Sequence, residues 1–158
     1  MALIHIQAAS KIMGMEMPIN VMLPKNDEAF KRPMPVLWLL HGLSEDASAW
    51  MRNTRVERYL REYGIAAVLV DAHQSCYEDM AHGGKFFTYI SEELPAVMTR
   101  FFPFSGNRED NYIAGLSMGG MGALKIGLAY PERYSVIGCF SAGHTNYRPI
   151  VPAKVKYL

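Results

Sequence analysis

Hydrophobic residues fall into two kinds of run along this chain. Near the start, ALIHIQ and PINVML (18–23) flank Met13-Gly14-Met15 and predict an antiparallel pair of strands. LPKNDEAFKRPMP then reads as a polar, proline-bounded loop. Four later runs, VLWLL (36–40), IAAVLV (65–70), YIAGL (112–116) and YSVIGCF (134–140), are apolar at nearly every position. A strand with one wet face would alternate, so these runs predict strands of a parallel sheet covered on both faces.

Helical spacing fills the gaps between them. Thr54 and Glu57 have capping-box spacing, Val56, Tyr59, Leu60 and Tyr63 recur at i, i+3, i+4, i+7, and Gly64 suits the position after a helix end. That predicts an amphipathic helix over 54–63. Residues 85–102 place Phe87, Ile90, Leu94, Val97, Met98 and Phe101 on one face, although Pro95 must kink or restart that helix. A third helix is expected from Ser117 to Tyr130. Two antiparallel strands followed by β-α-β-α-β-α-β predict an α/β fold with right-handed crossovers and a site at the strands' carboxyl ends.

Composition narrows the functional classes. The chain has 158 residues, half of them hydrophobic, with sixteen basic against fifteen acidic residues and a net charge of +1. That length suits one domain, and no repeat, low-complexity block or linker divides it, so 1–158 is expected to be a single domain. The basic residues are scattered, which argues against a nucleic-acid or anionic-membrane partner and for a small neutral molecule. The start, MALIHIQAAS, lacks the pattern of a secretory signal, and no apolar run approaches a bilayer span, so a cytoplasmic protein is expected. Cys76 and Cys139 share no metal or redox spacing and are expected as thiols outside any disulfide. Eleven methionines suggest pliable packing in the core or around a pocket.

Gly115-Leu116-Ser117-Met118-Gly119 matches G-x-S-x-G between an apolar strand and a predicted helix, the setting in which this motif forms a nucleophile elbow. A sharp strand-to-helix turn lifts the Ser117 hydroxyl clear of the sheet in a strained conformation, and side chains at Gly115 or Gly119 would collide. His41-Gly42-Leu43 directly follows VLWLL. A loop at the end of that strand can aim a backbone N–H where the N–H of Met118 points, and two such donors make an oxyanion hole. His41 itself is then structural.

HGLSEDASAW, the helix beginning NTRVERYL, the segment SEELPAVMTRFFP and the elbow IAGLSMGGMGALK, in this order and spacing, resemble the esterase D family of α/β-hydrolases. Within it the chain looks most similar to the bacterial tributyrin-esterase type, serine carboxylesterases that prefer short acyl chains. The resemblance implies an α/β-hydrolase fold, Ser117 as nucleophile, the N–H groups of Leu43 and Met118 as oxyanion donors, a small acyl ester as substrate, and neither cofactor nor metal. The sister branch, S-formylglutathione hydrolase, usually carries a cysteine shortly after the oxyanion glycine; Leu43-Ser44-Glu45 stands there, which argues against the glutathione thioester.

The family's remaining triad members, an Asp and a His, have no matching positions. Glu132, in Pro131-Glu132-Arg133, falls at a helix end away from the strands' carboxyl ends. His144 follows the strand next to the nucleophile rather than the last strand, and His73, with Asp71, Cys76, Tyr77 and Asp79, sits in a loop that could line the pocket; as a base, His73 would break the fold's chain order of Ser, acid, His. A metal site from His41, His73, His82 and His144 lacks short ligand spacing. The expectation is therefore of the N-terminal part of a longer esterase, its triad Asp and His beyond Leu158. The 158 residues alone should then be nearly inactive, with an exposed apolar edge strand that favours aggregation or homo-oligomers. The rival from another class is a hydrolase-fold binding module without a triad. Nucleotide binding fails on pattern, since neither G-x-G-x-x-G nor G-x-x-x-x-G-K-[ST] can be laid over residues 115–122.

Overall fold

A computed structural model describes residues 1–25 and 33–142. The polar loop's centre and His144 lie outside the described residues. Strands β1 (Ala2–Ser10) and β2 (Met15–Leu23) form the expected antiparallel pair, in register from Ala2 opposite Leu23 to Ser10 opposite Met15. Gly14 turns the chain between them at φ 68, a conformation that costs glycine little. The carboxylate of Glu93 fastens this turn by accepting from the Ser10 hydroxyl and from the backbone N–H groups of Lys11 and Ile12.

The other strands are β3 (Val36–Leu40), β4 (Ala66–Val70), β5 (Asn111–Leu116) and β6 (Val136–Phe140). They assemble in the order β1-β2-β4-β3-β5-β6, parallel from β4 through β6 and antiparallel where β2 meets β4. Every residue of β4 is buried, its side chains divided between two cores. Ala66, Val68 and Val70 join the larger core, and Ala67 and Leu69 face the smaller one with Leu39 and Leu60. The unbroken apolar runs of β3 and β4 thus have the cause the pattern predicts, two covered faces. β6 departs from it: Val136, Cys139 and Phe140 are exposed, because β6 is an edge of the sheet among the described residues.

Helices α1 (Ala49–Asn53) and α2 (Val56–Tyr63) lie between β3 and β4, and Trp50, Met51, Val56 and Leu60 pack on the smaller core. Gly64 closes α2 in the left-handed conformation, as expected. The capping box does not form: Arg55 occupies the cap without a side-chain bond, and the Thr54 hydroxyl turns to the Trp50 carbonyl at 2.5 Å. Only Leu60 of the apolar stripe is buried. Tyr59 and Tyr63 are 56% and 70% exposed.

The segment predicted as one kinked helix has three parts: α3 (Phe86–Thr88), a π turn (Tyr89–Glu93) and α4 (Leu94–Phe101). Pro95 has no N–H for the Ser91 carbonyl four residues back, and the Arg133 guanidinium donates to that carbonyl at 2.8 Å. The wider π turn shifts the helical phase, burying Tyr89 and leaving Phe101 63% exposed rather than on the packed face. Helix α5 (Met118–Ala129) packs with this segment on the larger core. Helices from the β3–β4 connection and from the β4–β5 and β5–β6 connections therefore cover opposite faces of the sheet. The chain leaves β3 and β5 in opposite directions, which opens a crevice at their carboxyl ends.

Candidate active site

Ser117 occupies the single-residue turn between β5 and α5 at φ 55 and ψ −116. An L-residue is strained there, at a cost of about 1–3 kcal/mol, so the surroundings must hold it. They do so with backbone. The Ser117 N–H donates to the Phe140 carbonyl at 2.8 Å, and the Met121 N–H donates to the Ser117 carbonyl at 3.2 Å. A Cβ on Gly115 would strike the backbone of Gly119, and one on Gly119 would strike the carbonyl oxygens of Leu40 and His41. The two glycines of the motif are thus required by the close approach of β3, β5 and the first turn of α5.

That approach brings the second predicted element beside the first. Leu40 is the register partner of Gly115, so the loop beginning at His41 leaves β3 level with the elbow. His41 is buried, and its Nδ1 bonds the Gly42 carbonyl at 2.7 Å while the Ala72 N–H donates to its Nε2 at 2.9 Å. Burial works against a charge on this ring, whereas Asp71 and the Gly42 carbonyl favour one and raise its proton affinity. A proton on Nε2 would meet the Ala72 N–H head on, so we assign the neutral ring with its proton on Nδ1. His41 is structural, as the sequence suggests.

Leu43 is exposed at the rim of a cleft of ≈ 660 Å3, which Glu45, His73, Gln74, Met80 and Phe86 also line. The loop after β4 supplies one wall, and His73 reaches the cleft as expected for a lining residue. His73 (φ 45), Cys76 (φ 53) and Tyr77 (φ 55) all have left-handed backbones, so this loop is held against strain. Tyr77 is buried and donates from its hydroxyl to the His41 carbonyl at 3.0 Å, and Lys125 donates to the Cys76 carbonyl at 2.9 Å. Asp71 accepts from the His73 N–H at 2.8 Å and lies 3.5 Å from the His41 Nε2; Asp79 accepts from the Thr88 backbone and hydroxyl. Glu132 pairs with Arg133 at 3.7 Å, in the connection before β6 begins.

No hydrogen bond joins a histidine to Ser117 among the described residues. Sequence reasoning missed Glu45, whose Oε2 accepts from the Gly42 N–H at 2.8 Å, and Tyr77 as an anchor of the same loop. The three-residue spacing of Gly42 and Glu45 was the one available signal, and it is too common to single out. No helix among the described residues is long and apolar enough to cross a membrane.

A mixed sheet, parallel from β4 through β6 and covered by helices on both faces, with a strained serine on a strand-to-helix turn at its switch point, defines the class: this is an α/β-hydrolase fold. Residues 10–149 match the family model described as putative esterase, and the chain belongs to that family. An acetyl esterase of Caldicellulosiruptor saccharolyticus is 30% identical over 142 residues, 85% of this chain and 53% of that protein. An S-formylglutathione hydrolase of Paracoccus denitrificans is 31% identical over 155 residues, 84% of this chain and 54% of its own length. The chain thus spans about half the length of the curated relatives it matches. Among solved structures, the S-formylglutathione hydrolase FrmB of Staphylococcus aureus superposes with a TM-score of 0.81 at 35% identity, covering 90% of this chain and 57% of that one. The fluorophosphonate-binding serine hydrolase FphF of the same species gives 0.80 at 35% identity, over 85% and 57% of the two chains.

Proposed function

We propose that this chain carries the nucleophile and oxyanion hole of a serine carboxylesterase that hydrolyses short-chain acyl esters. The observation that carries the reading is Ser117 at φ 55, ψ −116 beside the loop that ends β3. The Ser117 hydroxyl attacks the ester carbonyl carbon, and the N–H groups of Leu43 and Met118 receive the developing oxyanion. Met118 opens α5, where the first N–H groups have no intrahelical acceptor, and the Leu43 N–H has no partner among the described residues. The alcohol departs with a proton from a general acid, and water releases the acyl group from the serine. The acid and base belong, in this proposal, to the portion of the relatives that this chain does not span.

A thioesterase acting on S-formylglutathione is the second reading, favoured by the relatives of that name. The test begins with a fluorophosphonate probe and mass spectrometry of the protein. Labelling confined to Ser117 and lost in Ser117→Ala supports the serine hydrolase. Labelling that survives Ser117→Ala sinks it. Rates with p-nitrophenyl acetate, tributyrin and S-formylglutathione, measured on the full protein that contains this sequence, then decide between ester and thioester.

A further inference from the structure

Two consecutive peptide groups form the loop that faces Ser117, His41–Gly42 and Gly42–Leu43, and between them they carry four polar atoms. Three are fixed by protein partners. The His41 carbonyl accepts from the Tyr77 hydroxyl at 3.0 Å. The Gly42 N–H donates to Glu45 Oε2 at 2.8 Å. The Gly42 carbonyl accepts from His41 Nδ1 at 2.7 Å and from the Glu45 N–H at 3.3 Å. The fourth, the Leu43 N–H, has no partner among the described residues. A trans peptide points its N–H opposite its carbonyl, so holding the Gly42 carbonyl inward turns the Leu43 N–H out of the loop.

Building on the esterase reading above, we propose that Glu45 is a positioning residue for hydrolysis: its carboxylate captures the Gly42 N–H and thereby locks the loop with the Leu43 N–H as the donor offered to the oxyanion. Glu45 closes the turn from both ends, its side chain on the Gly42 N–H and its backbone N–H on the Gly42 carbonyl. The fit is tight, since a Cβ on Gly42 would stand 3.0 Å from Glu45 Oε2. Without the carboxylate the Gly42 N–H becomes a second unpaired donor and the loop has two peptide groups free to compete for the crevice. The role given to Glu45 needs no contact with a reacting atom. It acts through the direction of the Leu43 N–H, and that direction matters most when negative charge has developed on the substrate oxygen.

Glutamine and methionine have side chains close in length to glutamate, but only glutamine keeps an oxygen that can accept from the Gly42 N–H. The test compares wild type, Glu45→Gln and Glu45→Met in p-nitrophenyl acetate hydrolysis by the full protein. Deleting an oxyanion donor costs about 10²–10³ in rate, so misdirecting one should lower kcat in Glu45→Met by about 10- to 100-fold with KM changed less than about threefold. Glu45→Gln should stay within about threefold of wild type in both. A methionine variant with undiminished kcat overturns the proposal, and so does a glutamine variant that falls as far as methionine. Should Glu45→Met not fold, Glu45→Ala, which truncates a partly exposed side chain, makes the same comparison. A wild type with neither turnover nor Ser117 labelling overturns the esterase reading itself, whereas an active wild type with an indifferent Glu45→Met overturns only the role given to Glu45.

Discussion

The Ser117 N–H donates to the Phe140 carbonyl at 2.8 Å, so the elbow is tied to the end of β6 as well as to the strand that precedes it. Backbone from β3, β5, β6 and α5 meets at this one turn, and little of it can move aside. The consequences are measurable.

Gly119→Ala would drive a Cβ into the carbonyl oxygens of Leu40 and His41, which are backbone on a neighbouring strand end. Overpacking typically costs 1–3 kcal/mol, and with no flexible side chain to yield we expect about 3 kcal/mol here, read as a lower denaturation midpoint. Gly106→Ala, with open space around the added methyl, should change stability by less than about 0.5 kcal/mol. Equal midpoints for the two variants would refute the close-packing account.

Ser117→Gly should make the protein more stable. Glycine adopts φ 55, ψ −116 without the strain serine bears, and that relief exceeds the entropy glycine adds to the unfolded chain. A net gain of about 1 kcal/mol corresponds to a Tm roughly 2–4 °C higher at this size. Ser117→Ala keeps the Cβ and should show no such gain.

Burial pushes the Tyr134 phenol up to about 12, and it pushes Tyr77 and Tyr89 upward as well. A tyrosine that binds its proton more tightly when folded contributes full stability below its unfolded value near 10, and that contribution is lost as pH rises through the folded value. Each should take away roughly 1.4 kcal/mol per pH unit between about 10 and 12. Denaturant titrations at pH 9, 10 and 11 measure this; a flat stability across that range contradicts it.

Arg133→Ala removes the donor from the Ser91 carbonyl and the cation that sits 4.1 Å from the centre of the Tyr130 ring. A loss of about 1–2 kcal/mol is expected. The loss should shrink in a Pro95→Ala background, where an N–H becomes available to that carbonyl. A double-mutant cycle with no coupling between positions 95 and 133 would speak against the π turn's dependence on Arg133.

Much of this was legible in the chain itself. The doubly apolar runs at 36–40 and 65–70 announced buried parallel strands because a side chain on either face of such a strand must find an apolar neighbour. Gly115, Ser117 and Gly119 announced the elbow because steric exclusion at a tight turn leaves a local signature. Local periodicity was a poorer guide where a partner decided the outcome. Tyr59 and Tyr63 share α2's apolar stripe with Leu60, yet the smaller core reaches only Leu60 and the edge at Val56. Phe101 left the packed face because the π turn ahead of it changed the phase of α4, and that turn is stabilised by Arg133, a residue from the other side of α5.

Sequence by itself determined the class of the fold and the identity of the strained serine, since both follow from which residues can be buried and which can turn sharply. It could not determine what surrounds the loop at His41-Gly42-Leu43. The Tyr77 hydroxyl and the Ala72 N–H reach that loop only once β4 lies beside β3, with Tyr77 36 residues and Ala72 31 residues along the chain from His41. Hydrogen-bond direction is set by where strands end in space, and only the folded sheet fixes that.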